Sequence, residues 1–246
     1  KNLKFGPISS EGNRNYLSNE KGTLANGKVK LNCKTSAEGI KGLPYRYRVS
    51  SNIVDISNQM INTSNAIIVH PASFYIGVSK AEGISGFAKA NTDLTFSYAL
   101  SDLYGNPLKE YNNKEPAIIE LIREEWKSVQ QQGVNGTIYS RYVKENIVEN
   151  TQKISLSPKG KISVTPQKAG HYILKISSKD SRDRSVITEQ SFYVTGSSTS
   201  YWNRDDEHEL KLTTNQSVYN PGDTAQILLE SPLSKGKYLI TVEREG

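Results

Sequence analysis

The sequence predicts an all-β protein made of tandem antiparallel β-sandwiches. Three observations predict it. Short runs of alternating apolar and polar residues recur along the chain, bounded by Gly, Asn, Asp, Ser and Pro, with no helices between them. These runs are rich in Thr, Val, Ile and Tyr, whose branched or aromatic side chains suit a pleated, half-buried surface. A pattern of strands around an Asp-containing turn occurs twice, with Asp55 and Asp180 125 residues apart, a spacing within the common size of one domain.

Taken in order, the first run is 29–33. Its alternation puts Val29, Leu31 and Cys33 on one face. Cys33 is the only cysteine, so no disulfide forms within the chain, and its place on an apolar face predicts a buried structural thiol. Further strands are expected at 45–53, 66–70, 93–100, 153–156, 161–165, 172–177, 191–194, 225–229 and 237–242. The last two are read as a hairpin opened by the turn Asn220-Pro-Gly-Asp223.

One stretch is ambiguous. In Glu115-Pro-Ala-Ile-Ile-Glu-Leu-Ile-Arg-Glu-Glu-Trp126 the residues Ile118, Ile119, Leu121, Ile122 and Trp126 fit a helical period. Pro116 suits a first helical turn and the local propensity favours a helix. Ala117, Ile119 and Leu121 also alternate as a strand would.

The repeat organises the chain. Tyr47-Arg-Val-Ser-Ser-Asn-Ile-Val-Asp55 matches Leu174-Lys-Ile-Ser-Ser-Lys-Asp180, and Gly27-Lys-Val-Lys-Leu matches Gly160-Lys-Ile-Ser-Val upstream. Each Asp precedes a short polar turn and a strand ending in Val69 or Val194. An Asp here closes an Asx-turn, its carboxylate accepting from backbone N–H groups two residues on. Neither Asp has a His or second carboxylate at a shared spacing, so Asp55 and Asp180 are read as structural. Asn91-Thr-Asp-Leu-Thr-Phe resembles Pro221-Gly-Asp-Thr-Ala-Gln and marks where domains open. The expected organisation is the C-terminal part of one sandwich over 1–70 and a complete sandwich over 71–195. A linker follows over 196–207, then the N-terminal hairpin of another sandwich over 208–246. Tyr201 and Trp202 are the candidate interdomain seam. The chain starts at Lys1 without Met and stops soon after a hairpin, so a piece cut from a longer protein is expected.

Composition limits the chemistry. The net charge of +6 is local: residues 1–50 carry +7 and the remainder −1. No Arg/Lys stripe interleaves with aromatics, so no nucleic-acid partner is expected. No run of about 18 apolar residues is present to span a membrane as a helix. His70, His171 and His208 are scattered and match no zinc spacing. The acidic cluster 205–209 lacks the alternating oxygens and Gly-assisted turn of a calcium loop, and is read as a charged interdomain rim. Gly160-Lys-Ile-Ser lacks the upstream Gly of a phosphate loop, and no Gly-x-Ser-x-Gly elbow occurs. No catalytic residue, metal site or cofactor is assigned. Tyr outnumbers Phe by 14 to 5, which suits sandwich rims and seams where a ring is covered and its hydroxyl stays near water.

Several stretches together resemble a known family. They are Val54-Asp55 with Ile67-Ile68-Val69-His70-Pro71 and Phe74-Tyr75-Ile76-Gly77, then Glu125-Trp126, then Ala169-Gly170-His171-Tyr172 with Asp180. The most specific is Trp202, Asp205-Asp206 and Glu209-Leu210 followed by Tyr219-Asn-Pro-Gly-Asp-Thr-Ala, Ser231-Pro232 and Val242-Glu243-Arg244. This order is similar to the macroglobulin-like domains just before, and at the start of, the bait-region domain of bacterial alpha-2-macroglobulins. The resemblance implies seven-stranded antiparallel sandwiches of fibronectin type III-like shape, with a strand rather than a helix at 117–126 and Ala117, Ile119 and Leu121 on its core face. It implies a large protease inhibitor of the bacterial cell envelope, periplasmic or extracellular, with membrane anchoring of the parent left open. In that family a protease cuts a bait segment, the assembly collapses around it, and a Cys–Gln thioester in some members tethers it. The thioester pattern is Cys-x-Glu-Gln; Cys33 is followed by Lys34-Thr35-Ser36 and is not that cysteine. The bait would lie past Gly246. The chain is therefore expected to be a non-enzymatic scaffold whose partners are the rest of its parent chain, with proteases engaged elsewhere. The alternative is a surface adhesin or ligand-binding array of fibronectin-like modules.

Overall fold

The computed structural model describes residues 2–8, 19, 21–22, 26–30, 32, 35, 42–84, 86–113, 115–132, 137–196, 210–216, 218–231 and 236–243. Its regular elements are all strands. They are β1 (Lys4–Phe5), β2 (Tyr45–Val54), β3 (Met60–Val69), β4 (Tyr75–Ala81), β5 (Ala88–Lys89), β6 (Leu94–Ser101) and β7 (Ala117–Gln132). There follow β8 (Ile138–Ile154), β9 (Lys159–Val164), β10 (Gly170–Lys179), β11 (Ser185–Thr195), β12 (Lys211–Thr214) and β13 (Ile227–Glu230).

Two sheets pack face to face. The first has the order β1-β4-β6-β9 and the second β5-β11-β10-β7-β8. Alternation decides which side chains meet between them. Leu94, Phe96, Tyr98 and Leu100 of β6 point inward, as do Tyr172, Leu174 and Ile176 of β10, and all are buried. Thr188 Oγ1 of β11 donates to the Ile76 carbonyl of β4 at 2.6 Å, a buried bond that joins the sheets along one side.

Residues 117–132 form a strand, and the helix favoured by local propensity is absent. The reason is tertiary. β7 pairs antiparallel with β10 over Ile118–Glu124 and with β8 along its whole length. Ala117, Ile119 and Leu121 face the core and are fully buried. Backbone bonds on two sides, together with a dry face, outweigh tenths of a kcal/mol of helix preference per residue. Beyond Glu124 the β7–β8 hairpin runs on with no third strand among the described residues.

A bulge gives this hairpin its polar feature. Leu121 pairs with Asn150 and Ile122 with Val148, so Glu149 is left without a cross-strand partner. A bulge re-aims the side chain it frees. Glu149 Oε1 accepts from Arg123 Nε at 2.5 Å and Oε2 accepts from Tyr172 Oη at 2.9 Å. Tyr172 Oη also accepts from Lys168 N at 3.3 Å. This bond from a strand's tyrosine to backbone four residues upstream has the form of a tyrosine corner. Arg123 completes the group with a 2.6 Å ion pair to Glu125.

Two smaller sheets flank the sandwich. β2 and β3 form a ten-residue ribbon, and β12 pairs with β13. One ribbon face carries Tyr45, Tyr47, Val49, Ile53, Ile61 and Ile67, with Ser51, Thr63 and Asn65 in its middle, and Ile61 is 71% and Ile67 51% exposed. Two sequence expectations change here. β13 pairs with β12 instead of with 237–242, which is not strand and leaves Tyr238, Leu239 and Val242 exposed. Val29 lies outside the named strands and is exposed, since no opposing sheet among the described residues covers it. Cys33 lies outside the described residues.

The core makes one test. Gly160 on β9 sits beneath the Tyr98 ring, and a Cβ there would lie 2.5 Å from Tyr98 Cζ and Oη. Tyr98 is buried and its hydroxyl accepts from Ser157 N at 3.2 Å, so it cannot swing away freely. Gly160→Ala is expected to destabilise the sandwich by about 1–3 kcal/mol, the usual cost of overpacking. An unchanged urea midpoint would show that the ring yields at no cost.

Candidate functional site

The two repeated Asp residues close turns of the same geometry. Asp55 N donates to the Gln59 carbonyl at 3.0 Å, and Asp180 N to the Arg184 carbonyl at 3.0 Å. Asp55 Oδ1 accepts from Ser57 N at 2.8 Å and Gln59 N at 2.9 Å. Asp180 Oδ1 accepts from Arg182 N at 2.9 Å and Arg184 N at 3.0 Å. The fourth residue of each turn has positive φ, 61° at Asn58 and 62° at Asp183. Asn and Asp tolerate that conformation better than other side chains do.

A third copy of the turn was not read from the sequence. Asp102 Oδ1 accepts from Tyr104 N and Asn106 N, both at 2.8 Å, and Gly105 takes the positive φ of 86°. The signal was present: Asp followed three residues later by Asn, Gly or Asp occurs at Asp55-Ile-Ser-Asn, Asp102-Leu-Tyr-Gly and Asp180-Ser-Arg-Asp.

Asp180 does more than close its turn. Its second oxygen, Oδ2, accepts from Ser73 N at 3.0 Å and from Arg184 Nε at 2.8 Å, and pairs with Arg184 Nη2 at 2.6 Å. Its side chain is 1% exposed. Ser73 lies in the short connection from the β2–β3 ribbon to β4. That connection is also held by a 2.8 Å bond between His70 Nδ1 and Tyr75 Oη, and by an edge-to-face contact of Phe74 with Tyr111 at 5.1 Å. Together these contacts make a fixed joint at the start of the sandwich. Desolvation pushes the Asp180 carboxyl upward, but the Arg184 side chain and the amides of Arg184, Arg182 and Ser73 more than reverse it, holding its pKa well below the carboxylate range.

A cleft of about 400 Å³ opens beside this joint, lined by Ser73, Phe74, Leu108, Glu110, Tyr111, Asn112, Asn113, Asp180 and Ser181. Asp180 is spent on its donors, and the lining holds no His, Lys or Cys to form a nucleophile–base pair with Ser73 or Ser181. The arrangement positions backbone at the joint.

Other predicted positions do not converge. His171 Nδ1 lies 2.5 Å from Glu124 Oε2 on the outer face of the second sheet, where Lys144 also pairs with Glu124. Tyr201, Trp202, the cluster 205–209 and His208 lie outside the described residues. At the far end of the sandwich a Cβ on Gly86 would lie 2.1 Å from Gln226 Oε1, so the β12–β13 unit approaches the loop before β5 there.

No family model matches the chain. Over 207 residues it is 24% identical to an alpha-2-macroglobulin homolog of Nostoc sp., a match covering 83% of this chain and 10% of that protein. Over 129 residues it is 31% identical to an alpha-2-macroglobulin homolog of Yersinia pestis, covering 52% of this chain and 6% of that protein. The chain is similar in sequence to these bacterial alpha-2-macroglobulin homologs. It spans a tenth or less of the length of these relatives. Among solved structures it is similar to Salmonella alpha-2-macroglobulin reacted with methylamine, at TM-score 0.40 and 17% identity over 77% of this chain and 12% of that one. The native conformation of Escherichia coli alpha-2-macroglobulin gives 0.40 and 18% over 75% and 12%.

The joint around Asp180 can be tested by pH. A carboxyl whose folded pKa is depressed stabilises the fold fully above its unfolded value, near 4, and loses that contribution as pH falls below it. Asp180→Ala is expected to cost about 1–3 kcal/mol at pH 7, because Ser73 N and the turn amides lose their acceptor. The stability gap between native and variant should narrow from pH 4 downward. Asp55→Ala, in an exposed turn without the Ser73-type bond, should cost less. A gap independent of pH, measured by urea denaturation at pH 7 and pH 3, would sink this account.

Proposed function

We propose that this chain is a non-catalytic scaffold segment of a bacterial alpha-2-macroglobulin-like endopeptidase inhibitor. One observation carries the reading: a complete sandwich stands between two small paired units whose apolar residues remain open to solvent. In this reading residues 1–70 are the closing part of one macroglobulin-like sandwich, apart from β1, which pairs with β4, and 71–195 form a full one. Residues 196–207 link it to the opening hairpin of the bait-bearing domain at 208–246. Segments of the parent chain outside the described residues cover these open faces. Target proteases engage the parent outside this segment, in the periplasm or at the cell envelope, and no cofactor takes part.

The sequence relation to alpha-2-macroglobulin homologs supports the family side of the reading. The open face of the β2–β3 ribbon supports the scaffold side. An isolated hairpin is marginal in water, and apolar residues on its face point to a covering layer.

The experiment compares the segment with its parent. The isolated chain in tenfold molar excess should leave cleavage of casein by a serine protease unchanged. The parent should suppress that cleavage. The parent carrying Ile61→Ser and Ile67→Ser, which spoil the open ribbon face, should melt several degrees lower and suppress it less. Inhibition by the isolated chain, or full native behaviour of the double variant, would overturn the proposal.

A further inference from the structure

Residues 3–8 precede the β2–β3 ribbon in sequence but bond to the sandwich. Lys4 and Phe5 pair antiparallel with Val78 and Gly77 on the outer edge of β4. One residue later the segment turns to the other sheet. Glu189 N of β11 donates to the Gly6 carbonyl at 3.1 Å. Gly6 N donates to Thr188 Oγ1 at 3.3 Å, and Ile8 N donates to Glu189 Oε2 at 2.9 Å. Thr188 gives its own proton to the Ile76 carbonyl, so its oxygen is free to accept from Gly6. A few residues thus bridge both sheets along the side where β4 meets β11.

The seam fits a particular sequence. Gly77 has no side chain, and the Phe5 ring occupies the space above it: a Cβ at 77 would lie 2.6 Å from Phe5 Cε1 and Cζ. Gly6 is buried at φ +78°, which disfavours any residue with a Cβ, and such a Cβ would meet Leu43 Cδ2 at 3.3 Å. Pro7 carries no N–H to leave unpaired. A groove of about 370 Å³ continues past Phe5 and Gly6 between Leu43, Pro44, Tyr75 and Leu103.

The same geometry makes the segment separable. Ile76 and Val78 point into the core and are fully buried there, so lifting residues 3–8 uncovers β4 backbone and Gly77 before it uncovers core. The segment is held by two strand pairs, three further hydrogen bonds and one ring, against the entropy of ordering its backbone.

We propose that the seam between β4 and β11 is a strand-acceptor site. Its ligand is an extended aromatic-Gly-Pro peptide, supplied by residues 3–8 of the same chain, which docks and releases while the sandwich stays folded. Strand addition to a free edge is an established recognition mode, and here it ties the chain ahead of the ribbon to the complete sandwich.

The test uses the full chain. Gly6→Val, strained at positive φ, and Phe5→Ser, which empties the space over Gly77, should each speed hydrogen exchange at the Glu189 amide at least tenfold. The amides of Leu174 and Ile176 should keep native exchange rates. Either variant should then bind a fluorescein-labelled synthetic peptide of residues 2–8. The native chain should bind it at least tenfold more weakly, because its own segment competes at high effective concentration. The same peptide carrying Gly6→Val should not bind. Native Glu189 exchange in both variants would overturn the proposal, as would fast exchange without peptide binding. Loss of protection at Leu174 and Ile176 would show that the segment is integral to the fold. Glu189 protection that requires dimerisation would assign the strand to a second copy and overturn the intramolecular assignment.

Discussion

A sheet face stays dry only against another face, and this constraint accounts for most of the molecule. Between Ala72 and Val194 the chain supplies both faces, and Phe96, Ile119, Tyr172 and Leu174 meet in a continuous buried core. Before and after it, the chain supplies one small sheet at a time. β2–β3 and β12–β13 have regular ladders and the right alternation, but no second sheet among the described residues covers them. Their apolar residues are exposed because half of the packing problem is unsolved locally.

Turn chemistry then decides how the ordered part connects. Three five-residue turns use an Asp to gather two amides, with a residue of positive φ in the fourth position. Only Asp180 has its second oxygen directed at a distant amide, that of Ser73. A carboxylate can accept several bonds, so closing a turn leaves capacity for a second task. Arg184 neutralises the charge that burial would otherwise penalise. The result joins the last hairpin of the sandwich to the residue that leads into its first long strand. The bulged Glu149 works similarly at the other end, where freedom from cross-strand pairing lets it hold Arg123 and Tyr172.

What could be read from the sequence follows from range. Alternation is local, and it located β6, β9 and β10 with small errors at their ends, but only the last part of β11. The Asp turns are local too, and the pattern that marks Asp55 and Asp180 also marks Asp102. Residues 117–126 were ambiguous because the deciding bonds come from β10, about fifty residues away. The partner of β13 could not be read, since neighbouring β12 and the later run 237–242 both offer an alternating edge. The Ser73–Asp180 bond spans 107 residues, and no local signal distinguishes that Asp from Asp55. The pairing of Lys4 and Phe5 with Val78 and Gly77 leaves only a short trace, an aromatic-Gly-Pro step that reads as an ordinary turn.

These features bear on how such a segment transmits force. The sandwich interior is fixed by packing, and the connection at 70–75 is fixed by Asp180, the His70–Tyr75 bond and the Phe74–Tyr111 contact. A pull on the β2–β3 ribbon therefore reaches β4 through several directed bonds as well as through the backbone. Residues 3–8 offer a second attachment to the same strand, along the edge that β6 leaves open. Release of that attachment alone would leave Ile76 and Val78 covered, because both point into the core.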